Sequence, residues 1–206
     1  MKLYCGIDLH SNNAVYAVTD SQDKPVFRKR LPNNLPTVLN ALEPFREDLE
    51  LVAVESTYNW YWLVDGLQEH GYPVRLANPA AIEQYDGLKD ANDNTDALFL
   101  AQLSRMGILP QGYIYPKEQR PVRDLLRRRA LLVRQRTALI LSVQNMFLRQ
   151  TGHSISWRKL AKLQPEDLKQ HLDGDEHLIF TVGQQLRMIR IFCEVIYLLE
   201  QKALAA

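Results

Sequence analysis

The sequence predicts an α/β domain, a mixed five-stranded sheet with flanking helices, followed by an all-α arm of coiled-coil character. Three observations lead there. Residues 1–31 hold three short apolar or alternating runs joined by polar turns, and residues 50–77 hold two more runs separated by a helical pattern. After Pro116 the apolar period becomes seven. Charge changes at the same place: residues 1–116 carry 9 Lys/Arg against 15 Asp/Glu, whereas residues 117–160 carry 11 against 2. An acidic front and a basic middle suggest two tasks on one chain, holding a cation and facing phosphate.

In chain order, residues 2–9 (KLYCGIDL) read as a strand with a buried side. Residues 13–19 (NAVYAVT) alternate as a half-buried strand does. Residues 25–31 (PVFRKRL) read as an edge strand, since they start at proline and carry three consecutive cations. Short polar turns make these three an antiparallel meander. Asn34 caps a helix to about Phe45, with Leu35, Val38, Leu39 and Leu42 at helical spacing. Residues 50–54 (ELVAV) suit a buried parallel strand. A helix over residues 60–70 ends at Gly71, residues 72–77 form a fifth strand, and Asn78-Pro79 starts a short helix. A further helix begins near Asp93–Thr95 and stops at Gly107. This order of elements is that of the RNase-H fold.

The arm is expected to occupy residues 113–206, after an α/β domain of residues 1–112. Leu125, Leu132, Leu139 and Met146 recur every seven residues; a second stripe, Val122 and Val143, is interrupted by Arg129 and Arg136. A break at residues 151–157 precedes short helices at Trp157 and Pro165. The last helix spans residues 176–204, with Val182, Ile189 and Ile196 on one stripe and Phe192 and Leu199 beside it. The predicted arm is therefore an antiparallel helical one.

Four acids stand out. Asp8 lies inside an apolar strand, and Glu55 ends the run VAV. A buried carboxylate requires hydrogen bonds or a cation to offset desolvation. In the predicted topology the first and fourth strands are parallel neighbours, and the carboxyl ends of such strands form ligand crevices. Asp93 and Asp96 are three apart at a helix start, so they face the same way. The helix dipole alone also favours acids there, by ~0.3–1 kcal/mol each. Four converging carboxylates would repel without a counter-charge, and Mg²⁺ or Mn²⁺, as two ions, is the natural one for oxygen ligands. His10 shares the strand face of Asp8 and reads either as a phosphate or water contact or as an exposed strand-end residue.

Arg120, Arg123, Arg127, Arg128, Arg129, Arg134 and Arg136 crowd one helix, with Asp124 the only acid among them. Arginine's planar donor fork suits phosphate, so these seven are the candidate nucleic-acid contacts. Packing of this helix on the acidic domain is the structural alternative. Trp60 and Trp62 cannot share one helix face, so at least one is expected to pack while another edges the crevice. Cys5 and Cys193 read as buried free thiols. There is no GxGxxG, Walker loop, CxxC pair or GxSxG. No apolar run approaches ~18 residues, so no membrane partner is expected. Asp8 falls too early for a secretory signal, which implies a cytoplasmic chain.

GIDLHSNNAVYAV around Asp8, VAVESTYNWYWL around Glu55, VRLANP, and KDANDNTDALFLAQL around Asp93 and Asp96 resemble the DEDD transposases. These are insertion-sequence recombinases related to the Piv and MooV DNA invertases and described as bridge-RNA-guided. The resemblance is clear over about residues 1–150 and looser beyond. It implies a RuvC-like front domain, with Asp8, Glu55, Asp93 and Asp96 as a catalytic metal-binding tetrad. It implies DNA and a guide RNA as partners, a homodimer or homotetramer assembled through the arm, and a place at the bacterial nucleoid. It also implies a serine nucleophile in a separate C-terminal domain. No residue of this chain is assigned that role, and the chain alone is expected not to complete strand exchange. A nucleic-acid-binding assembly module and a Holliday-junction-type metal nuclease are the competing expectations.

Overall fold

The computed structural model describes residues 1–82, 96–172 and 174–206. The chain forms two compact units, Met1–Ile114 and Tyr115–Ala206.

In the first unit, β1 (Leu3–Leu9), β2 (Asn13–Asp20) and β3 (Pro25–Pro32) form the predicted antiparallel meander. Then come α1 (Leu35–Leu42), β4 (Leu49–Glu55), α2 (Tyr61–Glu69), β5 (Val74–Ala77), α3 (Pro79–Ile82), α4 (Asp96–Arg105) and β6 (Gln111–Gly112). The sheet order is β3-β2-β1-β4-β5-β6, with β1, β4 and β5 mutually parallel. Two details differ from expectation. The sheet has six strands, because the two-residue β6 pairs antiparallel with β5. The first helix stops at Leu42 and continues as a 3₁₀ turn over Glu43–Asp48. Pro44 explains this, since it offers no N–H to an α-helical bond and its ring crowds the preceding turn. The Asn34 cap is as expected: its Oδ1 accepts from Thr37 N at 3.0 Å.

Strand alternation divides the core between two sheet faces. Leu3, Cys5, Ile7 and Leu9 of β1 join Tyr16, Val18, Val38, Leu42, Leu63 and Leu67 on one face. Trp60 is buried in that cluster with Trp62 packed against it, so both tryptophans serve packing. On the opposite face α4 lies against β1, β2 and β4. Val15 and Ala17 pack on Ala97 and Leu98, and Ala53 packs with Phe99, Leu100 and Leu103.

In the second unit, α5 (Arg120–Thr151) is closed by Gly152 in the left-handed region (φ 71°). Short α6 (Trp157–Leu160) and α7 (Pro165–His171) lead to α8 (Glu176–Leu204). Arg129 pairs with Glu200, and Arg136 lies against Cys193, so α5 and α8 run antiparallel. Val143 and Phe147 form a core with Leu160, Leu168, Leu172, Val182, Leu186 and Ile189. The predicted Val182–Ile189–Ile196 stripe is buried. On α5, by contrast, the stripe interrupted by arginines is the one that meets α8. Leu139 and Met146 of the heptad stripe lie only at the core's margin.

Candidate metal centre and nucleic-acid interface

The parallel register of β1 and β4 pairs Gly6 with Ala53 and Ile7 with Val54. Asp8 and Glu55 are the next residue on each strand. Asp8 shares the face of Gly6, and Glu55 shares the face of Ala53. That is the face α4 covers, because Gly6 abuts Ala97, Leu100 and Ala101 while Ala53 clusters with Phe99 and Leu100.

The direction of α4 follows from its two ends. Arg105, in its last turn, grips Asp23 in the β2–β3 turn through two bonds, Nε to Oδ1 at 2.5 Å and Nη2 to Oδ2 at 2.6 Å. That turn lies beside the start of β1, where Leu3 pairs with Asp20. At the other end, Ala97 packs on Val15 and Ala17, the partners of Asp8 and Gly6. Hence α4 runs antiparallel to β1, and its first residue, Asp96, lies toward the carboxyl ends of β1 and β4. The positive end of the helix dipole points the same way.

Asp8 is only 9% exposed. Its Oδ2 lies 3.2 Å from His10 Nε2. The backbone of His10 is tied down on several sides. Its N–H donates to Asn13 O at 2.9 Å. Its carbonyl accepts from Asn33 Nδ2 and from Asn59 Nδ2, both at 3.0 Å. Asn59 Oδ1 in turn accepts from Thr57 Oγ1 at 2.8 Å. Strand pairing between β1 and β4 ends at Ile7–Val54, so the Asn59 bond joins the loops that follow the two acids. Sequence reasoning missed Asn33 and Asn59. Both follow strand ends, which is a signal for loop-pinning amides, but their acceptor lies 23 and 49 residues away.

Asp93 lies outside the described residues. Among the described residues no group of three or more His, Cys, Asp or Glu side chains stands close enough to hold a metal ion. Asp8, Glu55 and Asp96 supply oxygen donors only, a set whose chemistry fits Mg²⁺ or Mn²⁺ and does not favour thiophilic metals. The nearby Cys5 is fully buried, and burial pushes its thiol up to about 12. It is therefore no nucleophile near neutral pH. Neither cysteine forms a disulfide, and Cys193 is half-buried.

The seven arginines of α5 separate by environment. Arg120 is buried and donates from Nε to Tyr115 O at 2.8 Å, bracing the start of the helix. Arg123 lies over the Tyr115 ring at 4.6 Å and donates to Asp124 at 3.1 Å. Arg129 pairs with Glu200 and Arg136 is packed at the α8 seam. Arg127, Arg128 and Arg134 face solvent.

A mixed sheet in which acids end two adjacent parallel strands, with a helix tip bearing a third laid toward them, is RNase-H-like in architecture. Residues 5–152 match the family model of the IS110-type DEDD transposases, described as Transposase, and the chain belongs to that family. Among solved structures it is similar to T. thermophilus RuvC in complex with a Holliday junction substrate. That match has 20% identity and a TM-score of 0.42, and covers 54% of this chain and 100% of that one. No curated protein matches the chain. No helix among the described residues is long and apolar enough to cross a membrane.

Proposed function

We propose that this chain is the metal-dependent part of an insertion-sequence DNA transposase or site-specific recombinase, acting on DNA at the bacterial nucleoid in the cytoplasm. Asp8, Glu55, Asp93 and Asp96 would hold Mg²⁺ or Mn²⁺, as two ions, which lend charge stabilisation to phosphodiester cleavage. The chain's own contribution is to hold Asp8 and Glu55 on one sheet face, shield Asp8 from water and keep His10 against it. A guide RNA would select the DNA, and a serine in a further domain would be the nucleophile. The arm would join protomers into a dimer or tetramer and contact phosphates, chiefly through Arg127, Arg128 and Arg134. The observation that carries the reading is the family match over residues 5–152, which spans all four acids.

The test is an in vitro recombination reaction between an element and a target plasmid, with guide RNA and the serine domain supplied in trans. Asp8→Asn, Glu55→Gln, Asp93→Asn and Asp96→Asn are each expected to lower product by more than ~100-fold, since even outer-shell partners of metal sites cost ~10–100-fold. Undiminished product from the four variants would sink the reading. Cutting of a four-way junction by the chain alone in Mn²⁺ would replace it with a junction nuclease.

The Asn59 bond gives a milder prediction. Asn59→Ala is expected to weaken Mn²⁺ affinity by about 10-fold, at the low end for a group supporting a ligand. Its stability loss should be only ~1–2 kcal/mol, since the bonds to His10 O and from Thr57 Oγ1 are both lost at ~1 kcal/mol or less each. Mn²⁺ titration by electron paramagnetic resonance, beside a thermal melt, separates the two effects.

A further inference from the structure

The edge strand β3 carries Arg28, Lys29 and Arg30, all exposed. The register shows which way each belongs. Arg30 pairs with Val15 of β2, and Val15 pairs with Asp8 of β1. Arg28 pairs with Ala17, which pairs with Gly6. Arg28 and Arg30 therefore share the face of Asp8 and Glu55, whereas Lys29, paired with Tyr16, belongs to the other face. Arg30, Val15, Asp8 and Glu55 form one row across four strands. Two strand spacings separate Arg30 from Asp8, roughly 10 Å.

We propose that Arg28 and Arg30 bind the phosphate backbone of the DNA strand that enters the carboxylate crevice. This rests on the transposase reading above. A crevice lined with acids repels a polyanion, and the surrounding unit carries more acids than bases. Cations on the same face, roughly 10 Å away, lower that repulsion where the strand arrives. Arginine brings a planar fork that engages phosphate in two bonds. Charges on an edge strand also block edge-to-edge pairing, and lysine is the usual device. That task is indifferent to face and to the choice of arginine, so it does not account for arginine at both positions on the face of Asp8.

The experiment titrates the full chain with a 30-base-pair duplex DNA, and with an RNA strand of equal length, over a range of salt concentrations. The variants are Arg28→Gln/Arg30→Gln, Lys29→Gln and Arg28→Lys/Arg30→Lys. Each phosphate contact contributes about 0.9 to the slope of log K against log salt for duplex DNA. The Gln double variant is expected to lose about 1.8 of slope and to bind DNA about 10-fold more weakly or worse near 0.1 M salt. Lys29→Gln should match the wild type, and the lysine double variant should keep the slope, which guards against a folding defect. A wild-type slope in the Gln double variant would overturn the inference alone, as would loss of RNA binding with DNA binding intact. A wild type with no salt-dependent DNA binding would overturn the transposase reading and this one with it.

Discussion

Asp8→Asn is expected to remove the stabilisation that Mn²⁺ confers on the chain, while leaving the metal-free protein as stable as the wild type or more so. An ion that binds only the folded state adds RT ln(1 + [L]/Kd), or ~2.7 kcal/mol at 100 times Kd. For a chain of this size that raises the melting temperature by roughly 5–10 °C. Asp8 is 9% exposed and lies on the covered face of the sheet, with Glu55 on the neighbouring strand and Asp96 toward it. In the proposed site these three acids converge on the ion, so without a cation their like charges would repel and neutralising one would relieve that repulsion. A rival account makes Asp8 structural, held in place by the His10 ring at 3.2 Å. Under that account Asp8→Asn destabilises the metal-free protein, and His10→Ala destabilises it about as much. Under ours, His10→Ala keeps a sizeable Mn²⁺ response. Differential scanning fluorimetry in EDTA and in saturating Mn²⁺ measures all four quantities. A full Mn²⁺ shift in Asp8→Asn would remove Asp8 from the site.

Much of this architecture is legible without a structure, for local reasons. Strand and helix periods identify β1 to β5 and α8, although β2, expected to be half-buried, is buried on both faces because α4 covers Val15 and Ala17. Gly71 and Gly107 mark helix ends by adopting positive φ, as the sequence leads one to expect. The features that escape are those set at long range. Two residues, Gln111 and Gly112, show no period, so β6 exists only because β5 offers it an open edge. Arg129 and Arg136 look like breaks in a heptad or like phosphate ligands. The structure places both at the α8 seam, where Glu200 and Cys193 meet them, and neither partner can be inferred from α5 itself. The acids illustrate the same division. Asp8 and Glu55 are recognisable as carboxylates at the ends of apolar runs. That they share a face is decided by a register between strands more than forty residues apart. The row that joins Arg30 to Asp8 follows from two registers within the β1–β2–β3 meander.

Gly6→Ala is expected to be the most damaging single substitution in the first unit, and to act on the candidate site without touching an acid. A Cβ at position 6 would fall inside contact distance of the Ala97 carbonyl oxygen, 2.7 Å from Ala101 N and 2.9 Å from Leu100 Cβ. Two of these three atoms are helix backbone, so no side-chain rotation relieves the clash. Either α4 lifts from the sheet or β1 bends away from it. Overpacking in a core costs ~1–3 kcal/mol when side chains can adjust. With backbone on both sides the loss should exceed that, reaching ~4 kcal/mol or more, a range reserved for severe core defects. Lifting α4 also exposes Ala97, Ala101 and Leu103, which are fully buried. It carries Asp96 away from Asp8 and Glu55, so any folded Gly6→Ala protein should lose Mn²⁺ affinity by at least the ~10-fold expected for a misplaced ligand. Ala53→Gly supplies the control, since it creates space on the neighbouring strand of the same face without obstructing the helix. It should cost about the ~1 kcal/mol typical of a point mutant and leave metal affinity near normal. Urea unfolding with parallel Mn²⁺ titration distinguishes the pair. A Gly6→Ala protein as stable as the wild type would mean that α4 does not rest its backbone on β1, and the argument placing Asp96 toward Asp8 would fall with it.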